Sequence, residues 1–439
     1  MAALVLSIPN TNAGQVALAH LKSSGPNLFS GEYRQSLSER LEGTAAGQRL
    51  TGLYETFHLF VVPDHAELVA LAAILNFHSF PEDGPLSHGH VSGAEINVEF
   101  RLSATLGAPI TLDSQNHATY RTILNADAAV SDGITGKGVR VAVVDSGATG
   151  IALHDFYDVQ NSANQHRGVS GMFDNHGHGT AMATIISDIA PEADVIAVRI
   201  VDQDRATLWE AMAGTALAAE DCHADIINLS LGFPDFGRSP CPWCGSLAHV
   251  RSLAFEKLLT SLADAHPDRV IYVAAAGNDW ITTRFDYPAA YLNMLAVGSV
   301  KSNESRSTFS NYGTKNHPGY LMAPGGEIDQ QTLTVTEAVG SGTHAPFAGT
   351  SASAAYASGI LALLKSQSRY QAKPRKDFVA DVLRNHCKLP ANATASEYGS
   401  GILFYDSPPG PVSDYYDVSA GKAVELFPNF TLSPHGKND

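Results

Sequence analysis

The chain has 439 residues, of which 44% are hydrophobic and 16% are charged, as in an ordinary globular protein with a sizeable core. Its formal net charge is −16 and it has no cluster of Lys and Arg, so we expect neither nucleic acid nor a membrane as a partner. The opening stretch "MAALVLSIPNTNAGQ" is too short an apolar run for a membrane span and lacks the positive start of a secretory signal. Four cysteines in a chain of this size do not make a disulfide framework. These features predict a cytoplasmic protein.

Residues 1–115 are predicted to form a small α+β domain. The segment "LYETFHLFVV" alternates apolar positions as a strand does. In "PDHAELVALAAILNF", which follows, Asp64 and Glu67 are placed as a capping box before an apolar helix. A loop rich in Pro and Gly, "FPEDGPLSHGH", then precedes a second alternating run, "AEINVEFRL".

Residues 116–407 have a different pattern. Short runs rich in Val, Ile and Ala each end in a turn residue, and helical segments separate several of them: "VRVAVVDSG", "DVIAVRI", "ADIINLSLG", "RVIYVAAAGN" and "MLAVGSV". Continuous apolar runs suit parallel strands buried on both faces, and alternation with helices implies right-handed crossovers. The sequence therefore predicts an α/β domain with a mostly parallel sheet, followed by a C-terminal extension over residues 408–439.

Polar residues close three of these runs, at the edge of the sheet where open α/β proteins bind ligands. A carboxylate directly after a buried strand is costly unless it is hydrogen-bonded, although Asp145 alone equally fits a turn or a helix cap. Ser230 closes the apolar run of "ADIINLSLG". Asn278, beside small residues, can aim its amide at a developing oxyanion, and a left-handed turn residue is the alternative.

Two more candidates lie at the starts of predicted helices. His178 follows glycines in "DNHGHGTAMATIISDI", which suits a general base that needs room to face a substrate, whereas a metal ligand or a surface histidine are the alternatives. Ser351 lies in "GTSASAAYASGILALL", which alone favours small residues that open a packed helix. At a helix N-terminus, however, its N–H is placed to stabilise an oxyanion.

Taken together, the motifs resemble those of the subtilisin-like serine proteases, the subtilase family, in which the triad order is Asp, His, Ser. Seven segments occur in family order over residues 115–407: "VAVVDSG", "HGT", "NLSLG", "AAAGN", "YPAAYLNMLAVGSV", "GTSAS" and "YGSGILF". The resemblance implies a three-layer α/β fold and a serine endopeptidase acting on proteins or peptides. It makes Ser351 the nucleophile, His178 the general base, Asp145 the residue that orients the histidine, and Asn278 an oxyanion donor.

The resemblance also assigns substrate-binding residues. It implies that Ser230, Leu231 and Gly232 pair with the substrate backbone as an added strand. It places Asp286 at the floor of the primary specificity pocket, where a buried carboxylate favours Lys or Arg before the scissile bond. An internal pair with Arg284 or with another surface arginine is the alternative.

Three residues depart from the family's motifs without removing a catalytic group. Ala355 stands at the usual proline of the nucleophile motif, and Met182 and Thr184 replace a small aliphatic residue and a glycine. The family's calcium loop after the histidine helix is missing from "ATIISDIAPEADVIAVRI", so no metal cofactor is expected.

An extra segment, "FPDFGRSPCPWCGSLAHV", follows the predicted substrate-binding strand. Its Cys241 and Cys244 fit free thiols, a local disulfide, a redox pair or half of a zinc site, for which Cys222, His223 and His249 are candidate further ligands.

The same motifs are compatible with two other functions. A peptide ligase or macrocyclase would use the same acyl-enzyme and pass it to an amine instead of water. A regulatory module would have a degenerate site, or one covered by residues 1–115, which in this family often form an inhibitory domain that is later cleaved. Residues 1–115 could also recruit a regulatory partner.

Overall fold

The computed structural model describes residues 3–8, 11–23, 33–34, 41–54, 57–61, 93–96, 99–102, 114–161, 165–201, 205–232, 239–240, 247–248, 253–313, 317–327, 334–335 and 346–406. In the N-terminal part the elements are β1 (Ala3–Ser7), α1 (Asn12–Ser23), β2 (Tyr33–Arg34), α2 (Ala45–Tyr54), β3 (Phe57–Val61), β4 (Gly93–Ile96) and β5 (Glu99–Leu102). Four of these strands form an antiparallel sheet in the order β2–β3–β1–β4.

The predicted strands of this part are present, with one difference. The run "AEINVEFRL" contains two strands, β4 and β5, and only β4 joins the N-terminal sheet. The helix predicted from Asp64 lies outside the described residues.

The strands that follow are β6 (Arg140–Asp145), β7 (Asp155–Asp158), β8 (Asp194–Arg199), β9 (Arg205–Thr207), β10 (Ile226–Leu229), β11 (Leu231–Gly232), β12 (Ser239–Pro240), β13 (Leu247–Ala248), β14 (Ile271–Ala275), β15 (Leu295–Val300), β16 (Tyr320–Pro324), β17 (Thr334–Val335), β18 (Pro346–Phe347), β19 (Cys387–Lys388) and β20 (Ile402–Leu403). The helices are α3 (Ser114–Leu124), α4 (Ala126–Ser131), α5 (His178–Ile189), α6 (Leu208–Glu220), α7 (Leu253–Ala265), α8 (Thr350–Ser366), α9 (Ser368–Gln371), α10 (Arg375–Asn385) and α11 (Ala395–Tyr398), with a short 3₁₀ turn at Val169–Gly171.

Among the described residues, nine strands form one sheet in the order β19–β20–β16–β15–β14–β10–β6–β8–β7. Every neighbouring pair is parallel except β19 with β20. Helices α5 and α8 pack together on this sheet, as do α6 and α7, so that helices cover both of its faces. This three-layer α/β architecture is the predicted one, and the five apolar runs singled out in the sequence are β6, β8, β10, β14 and β15, all of them almost wholly buried.

The N-terminal part docks on this unit through α2, which packs against α6. The first N–H groups of α2, at Ala45 and Ala46, donate to the Asp221 carboxylate over 3.0 and 2.9 Å. Next to this contact, Arg49 forms a 2.6 Å ion pair with Glu220. A carboxylate at the positive end of a helix is stabilising, and here it joins two parts of the chain. The predicted boundaries at residues 115 and 407 stay predictions, and residues 408–439 lie outside the described part.

No helix within the described residues is both long and apolar enough to cross a bilayer.

A buried ion pair supports the sheet next to Asp145. The Arg199 guanidinium lies 3.0 Å from the Asp158 carboxylate, and only 7% and 9% of these side chains are exposed. The ring of Phe173 lies 5.0 Å from the guanidinium. In the sheet register, Arg199 is the neighbour of Asp145.

We predict that Asp158→Ala lowers the free energy of unfolding by about 3–5 kcal/mol, because it leaves a buried guanidinium without its carboxylate. Lys388→Ala is the control, since it breaks an ion pair of the same 3.0 Å length with Glu304 at the surface and should cost less than about 1 kcal/mol. Denaturant titration of both variants measures the difference, and equal losses would contradict the prediction.

Candidate active site

Asp145 is the last residue of β6, at the carboxyl edge of the sheet, and its side chain is wholly buried. Its Oδ1 accepts a hydrogen bond from the Ser146 N–H over 2.7 Å. The two carboxylate oxygens lie 2.8 and 2.9 Å from His178 Nδ1. Because a carboxylate accepts but does not donate, Nδ1 carries the proton, and Nε2 is the nitrogen available as a base.

His178 is the first residue of α5, and Asp174 fixes the start of this helix. One Asp174 oxygen accepts from the N–H groups of His176 and Gly177 over 3.0 and 2.8 Å. The other accepts from the N–H and the hydroxyl of Thr180 over 2.9 and 2.6 Å. Asp174 was not among the predicted site residues, although an aspartate shortly before a helix is a recognised capping signal.

The start of α5 lies against the end of β6, and only glycine fits there. A Cβ on Gly179 would lie 2.1 Å from the carbonyl oxygen of Gly147 and 3.1 Å from Asp145 Cβ. The Gly179 N–H donates to Ser146 Oγ over 2.8 Å. The glycine of the "HGT" motif therefore allows the histidine to approach the aspartate.

Ser351 is the second residue of α8 and is wholly buried. Its Oγ donates to the carbonyl oxygen of Ser230 over 3.0 Å, and Ser230 Oγ donates back to the carbonyl oxygen of Ser351 over 3.0 Å. Asn228 connects this pair to the body of the helix: its Nδ2 donates to Ser230 Oγ over 2.9 Å, and its Oδ1 accepts from Ser358 Oγ over 3.1 Å. The roles of Asn228 and Ser358 were not anticipated, because both residues read as ordinary parts of buried elements.

Asn278 follows β14 and lies beside the start of α8. Its Oδ1 accepts from the N–H and from the hydroxyl of Thr350 over 3.0 and 2.9 Å. The Thr350 hydroxyl oxygen also accepts from the Gly277 N–H over 3.2 Å. Because the carboxamide is planar, this anchoring of Oδ1 directs the donor Nδ2 away from Thr350.

The predicted substrate-binding strand is already paired with a strand of the same chain. β5 lies between β11 and β9 in a three-stranded sheet of described residues. Both pairings are antiparallel: Leu231 is opposite Leu102, and Arg101 is opposite both Gly232 and Arg205. In this register β5 runs towards Ser230, whose carbonyl oxygen contacts Ser351. The N-terminal part of the chain therefore occupies the edge at which an added substrate strand was expected.

Asp286, predicted at the floor of the specificity pocket, is buried, with 6% of its surface exposed. Asn311 Nδ2 donates to its Oδ1 over 3.3 Å, and its own N–H donates to the Ala276 carbonyl oxygen over 3.0 Å. Burial, together with the neighbouring Asp279 carboxyl, raises the pKa of Asp286 to about 8, and the positive charge of Arg284 opposes this only in part. The carboxyl groups of Asp286 and Asp279 are thus brought together at this position, near the positive charge of Arg284.

The structure leaves the metal predictions untested. Cys241, Cys244 and His249 lie outside the described residues. Cys222 is a buried free thiol whose pKa is raised well above its usual value by desolvation. Within the described part of the chain, no three His, Cys, Asp or Glu side chains form a group that could hold a metal ion.

The three departures from the family's motifs are all accommodated in helices. Ala355 and Met182 are buried in α8 and α5. Thr184 Oγ1 donates to the carbonyl oxygen of Thr180, one turn earlier, over 2.7 Å.

A parallel α/β sheet with an Asp–His pair and a helix-start serine at its carboxyl edge is the arrangement of a serine hydrolase. Comparison with known proteins identifies the family. The profile of the subtilase family matches residues 136–401, more than half of the chain. The chain therefore belongs to the subtilase family and is a subtilisin-like serine peptidase, which confirms the resemblance found in its motifs.

Individual relatives show the same relationship. Subtilisin BL of Lederbergia lenta is 31% identical over 291 residues, which are 64% of this chain and 94% of that protein. Subtilisin Savinase, from the same organism, has the same identity and coverage. An alkaline protease of Alkalihalobacillus alcalophilus is 31% identical over 307 residues, which are 67% of this chain and 70% of that protein.

The raised pKa of Asp286 predicts a pH-dependent stability. Between about pH 4 and pH 8 the folded protein keeps a proton that the unfolded chain releases. The free energy of unfolding should therefore fall by a few kcal/mol as the pH rises through this range, and Asp286→Asn should remove that part of the fall. Asp279→Asn should shift it to lower pH, because it removes the neighbouring acid. Denaturant titrations at several pH values test this, and an unchanged slope in Asp286→Asn would contradict it.

Proposed function

We propose that this peptidase hydrolyses internal peptide bonds through Ser351, His178 and Asp145. The observation that carries the proposal is the buried pair of His178 Nδ1 with Asp145 Oδ1 and Oδ2, at 2.8 and 2.9 Å. Ser351 Oγ attacks the peptide carbonyl carbon while His178 Nε2 takes its proton. The imidazolium, stabilised by Asp145, then protonates the leaving amine, and water releases the acyl group by the same steps in reverse order.

Asn278 and the Ser351 N–H are the proposed donors to the oxyanion of the tetrahedral intermediate. Support for Asn278 comes from the two hydrogen bonds from Thr350, which hold its Oδ1 and so fix the direction of its Nδ2. Support for the Ser351 N–H comes from its place in the first turn of α8, where backbone N–H groups carry the positive end of the helix dipole. One such donor contributes a factor of about 10²–10³ to kcat.

The proposed substrates carry Lys or Arg before the scissile bond. The support is the pair formed by Asp286 and Asp279, in which one carboxyl retains a proton because the charge of Arg284 only partly offsets burial and the neighbouring acid. A bound Lys or Arg supplies the missing positive charge and releases that proton. The preference should therefore strengthen as the pH rises through about 8, because Asp286 loses its proton over that range.

Residues 1–115 are proposed to act as an inhibitory unit that covers the cleft until it is displaced or cut. β5 lies in the position that a substrate strand would take, and it pairs there with β11 on one side and β9 on the other. The side chains of Asp145, His178 and Ser351 are wholly buried. The Asp221 and Glu220 contacts with α2 hold the same part of the chain in place.

Hydrolysis is the proposed outcome of the acyl-enzyme, because it is the reaction of the family to which the chain belongs. Ligation would need water to be kept from the acyl-enzyme, and the segment with Cys241 and Cys244, which could do this, lies outside the described residues. Independence from metal ions and a cytoplasmic location stay predictions.

A fluorophosphonate probe should add once to the full-length protein and not at all to Ser351→Ala, since the probe bonds to the activated hydroxyl. Ser353→Ala is the matched control, because this serine lies in the same helix and is equally buried, and it should keep the adduct. Intact mass measures all three proteins. An adduct that persists in Ser351→Ala would contradict the proposed nucleophile.

Arg101→Pro should increase the rate of this labelling several-fold, because proline removes a backbone donor from β5 and so weakens its pairing with β11 and β9. Arg101→Ala keeps the N–H and should label at the wild-type rate. The time course of adduct formation measures the effect. Equal rates in the proline variant and the wild type would contradict the inhibitory role of β5.

A further inference from the structure

We infer that Trp280 is a specificity-determining residue of this peptidase, whose indole covers the stem and the cation of a Lys or Arg side chain before the scissile bond. The inference rests on the proposed preference for basic substrates. It adds an aromatic face to the two carboxyl groups that were assigned to that site.

The indole of Trp280 is exposed to solvent. Trp280 has 62% of its surface exposed, more than any other large hydrophobic side chain of the described residues. Within this part of the chain its ring forms neither a stacking pair nor a cation–π contact. Exposed aromatic residues are common, and Trp280 differs from most of them in its backbone conformation and its position.

The backbone of Trp280 has a conformation that disfavours a bulky residue. Its φ is +58°, in the left-handed region that glycine and asparagine adopt at less cost. Hydrogen bonds on both sides enforce this turn. Asn311 Oδ1 accepts from the N–H groups of Asp279 and Ile281 over 3.0 and 2.9 Å, and the Trp280 N–H donates to the Phe309 carbonyl oxygen over 3.0 Å. A tryptophan held in strain at an exposed turn points to a use for the side chain.

The turn lies beside the proposed oxyanion donor and the carboxyl pair. Trp280 is two residues after Asn278, so their Cα atoms are at most about 7 Å apart. Asp279, between them, contacts the Asp286 carboxyl. Asn311 connects the same turn to Asp286 through its Nδ2. On the other side, Gly277 lies so close to the Asp286 carboxyl that a Cβ there would be 2.5 Å from Oδ2.

These contacts place Trp280 on the same short turn as the proposed oxyanion donor and next to the carboxyl pair that would bind the cation. A Lys or Arg side chain has an apolar stem and a charged head, and it therefore needs both kinds of contact. The face of an indole is the strongest aromatic partner for a cation, whereas it gains no charge contact from a neutral side chain of equal length. The occupant of the site is thus identified by its chemistry as a side-chain cation on a flexible stem.

The test compares two peptide substrates that differ only in arginine or citrulline before the scissile bond, since citrulline has nearly the shape of arginine without its charge. It uses whichever form of the protein, full-length or self-processed, the fluorophosphonate labels. We expect Trp280→Asn, which suits the left-handed turn, to lower the arginine-to-citrulline ratio of kcat/KM about fivefold. Trp280→Phe keeps an aromatic face and should retain most of the ratio. The rates for both peptides can fall together, because the indole also covers apolar surface. The arginine-to-citrulline ratio of kcat/KM therefore tests the inference, and the absolute rates do not.

The outcomes separate this inference from the function on which it rests. No arginine preference in the wild type overturns both the basic specificity and the role of Trp280. An arginine preference that persists in Trp280→Asn overturns the role of Trp280 alone, and one that is lost in Trp280→Phe as well contradicts the aromatic contact.

If the protein hydrolyses neither peptide, the binding of a small cation is measured instead. Agmatine, which carries a guanidinium on a flexible stem, should bind to the wild type in calorimetry and bind more weakly to Trp280→Asn and to Asp286→Asn. Absence of both turnover and agmatine binding would contradict the inference.

Discussion

The hydrogen-bonded contact between Asp145 and His178 determines how β6 and α5 meet at the carboxyl edge of the sheet. Both side chains are wholly buried, and a buried carboxylate is tolerated only when its oxygens are satisfied. The strand end supplies the acid, the first turn of α5 supplies the imidazole, and Gly179 allows these two elements to touch. Asp174 in turn holds the start of α5. The sheet thus brings together, at one edge, groups that lie 33 residues apart in the chain.

The proposed nucleophile and the proposed substrate-binding strand form a single hydrogen-bonded unit. Ser351 and Ser230 exchange two hydrogen bonds, and Asn228 extends this contact to Ser358 on α8. A strand that pairs with Leu231 and Gly232 therefore lies next to the proposed nucleophile, because Ser230 directly precedes Leu231. In this chain β5 takes that place. Substrate binding and inhibition by residues 1–115 compete, on this proposal, for the same backbone groups.

Much of the fold and the site could be predicted from residue patterns. Buried parallel strands need uninterrupted apolar runs, so β6, β8, β10, β14 and β15 were visible in the sequence, as were the polar residues that close them. The roles of Asp174 and Asn228 in the site were not predicted, because an aspartate before a helix and an asparagine in a strand have many common structural uses. Nor could "AEINVEFRL" be divided between two sheets, since alternation identifies a strand but not its partner.

By itself the sequence determined the class of the protein, because the order and spacing of its short motifs express local requirements: a buried strand, a tight glycine contact, a helix start. The tertiary structure alone decided which groups meet over long separations. It set β5 against β11, α2 against Asp221, and the Asp279 carboxyl beside Asp286. Such contacts depend on how whole elements pack and on the loss of water around charges, and neither is a property of any short stretch of residues.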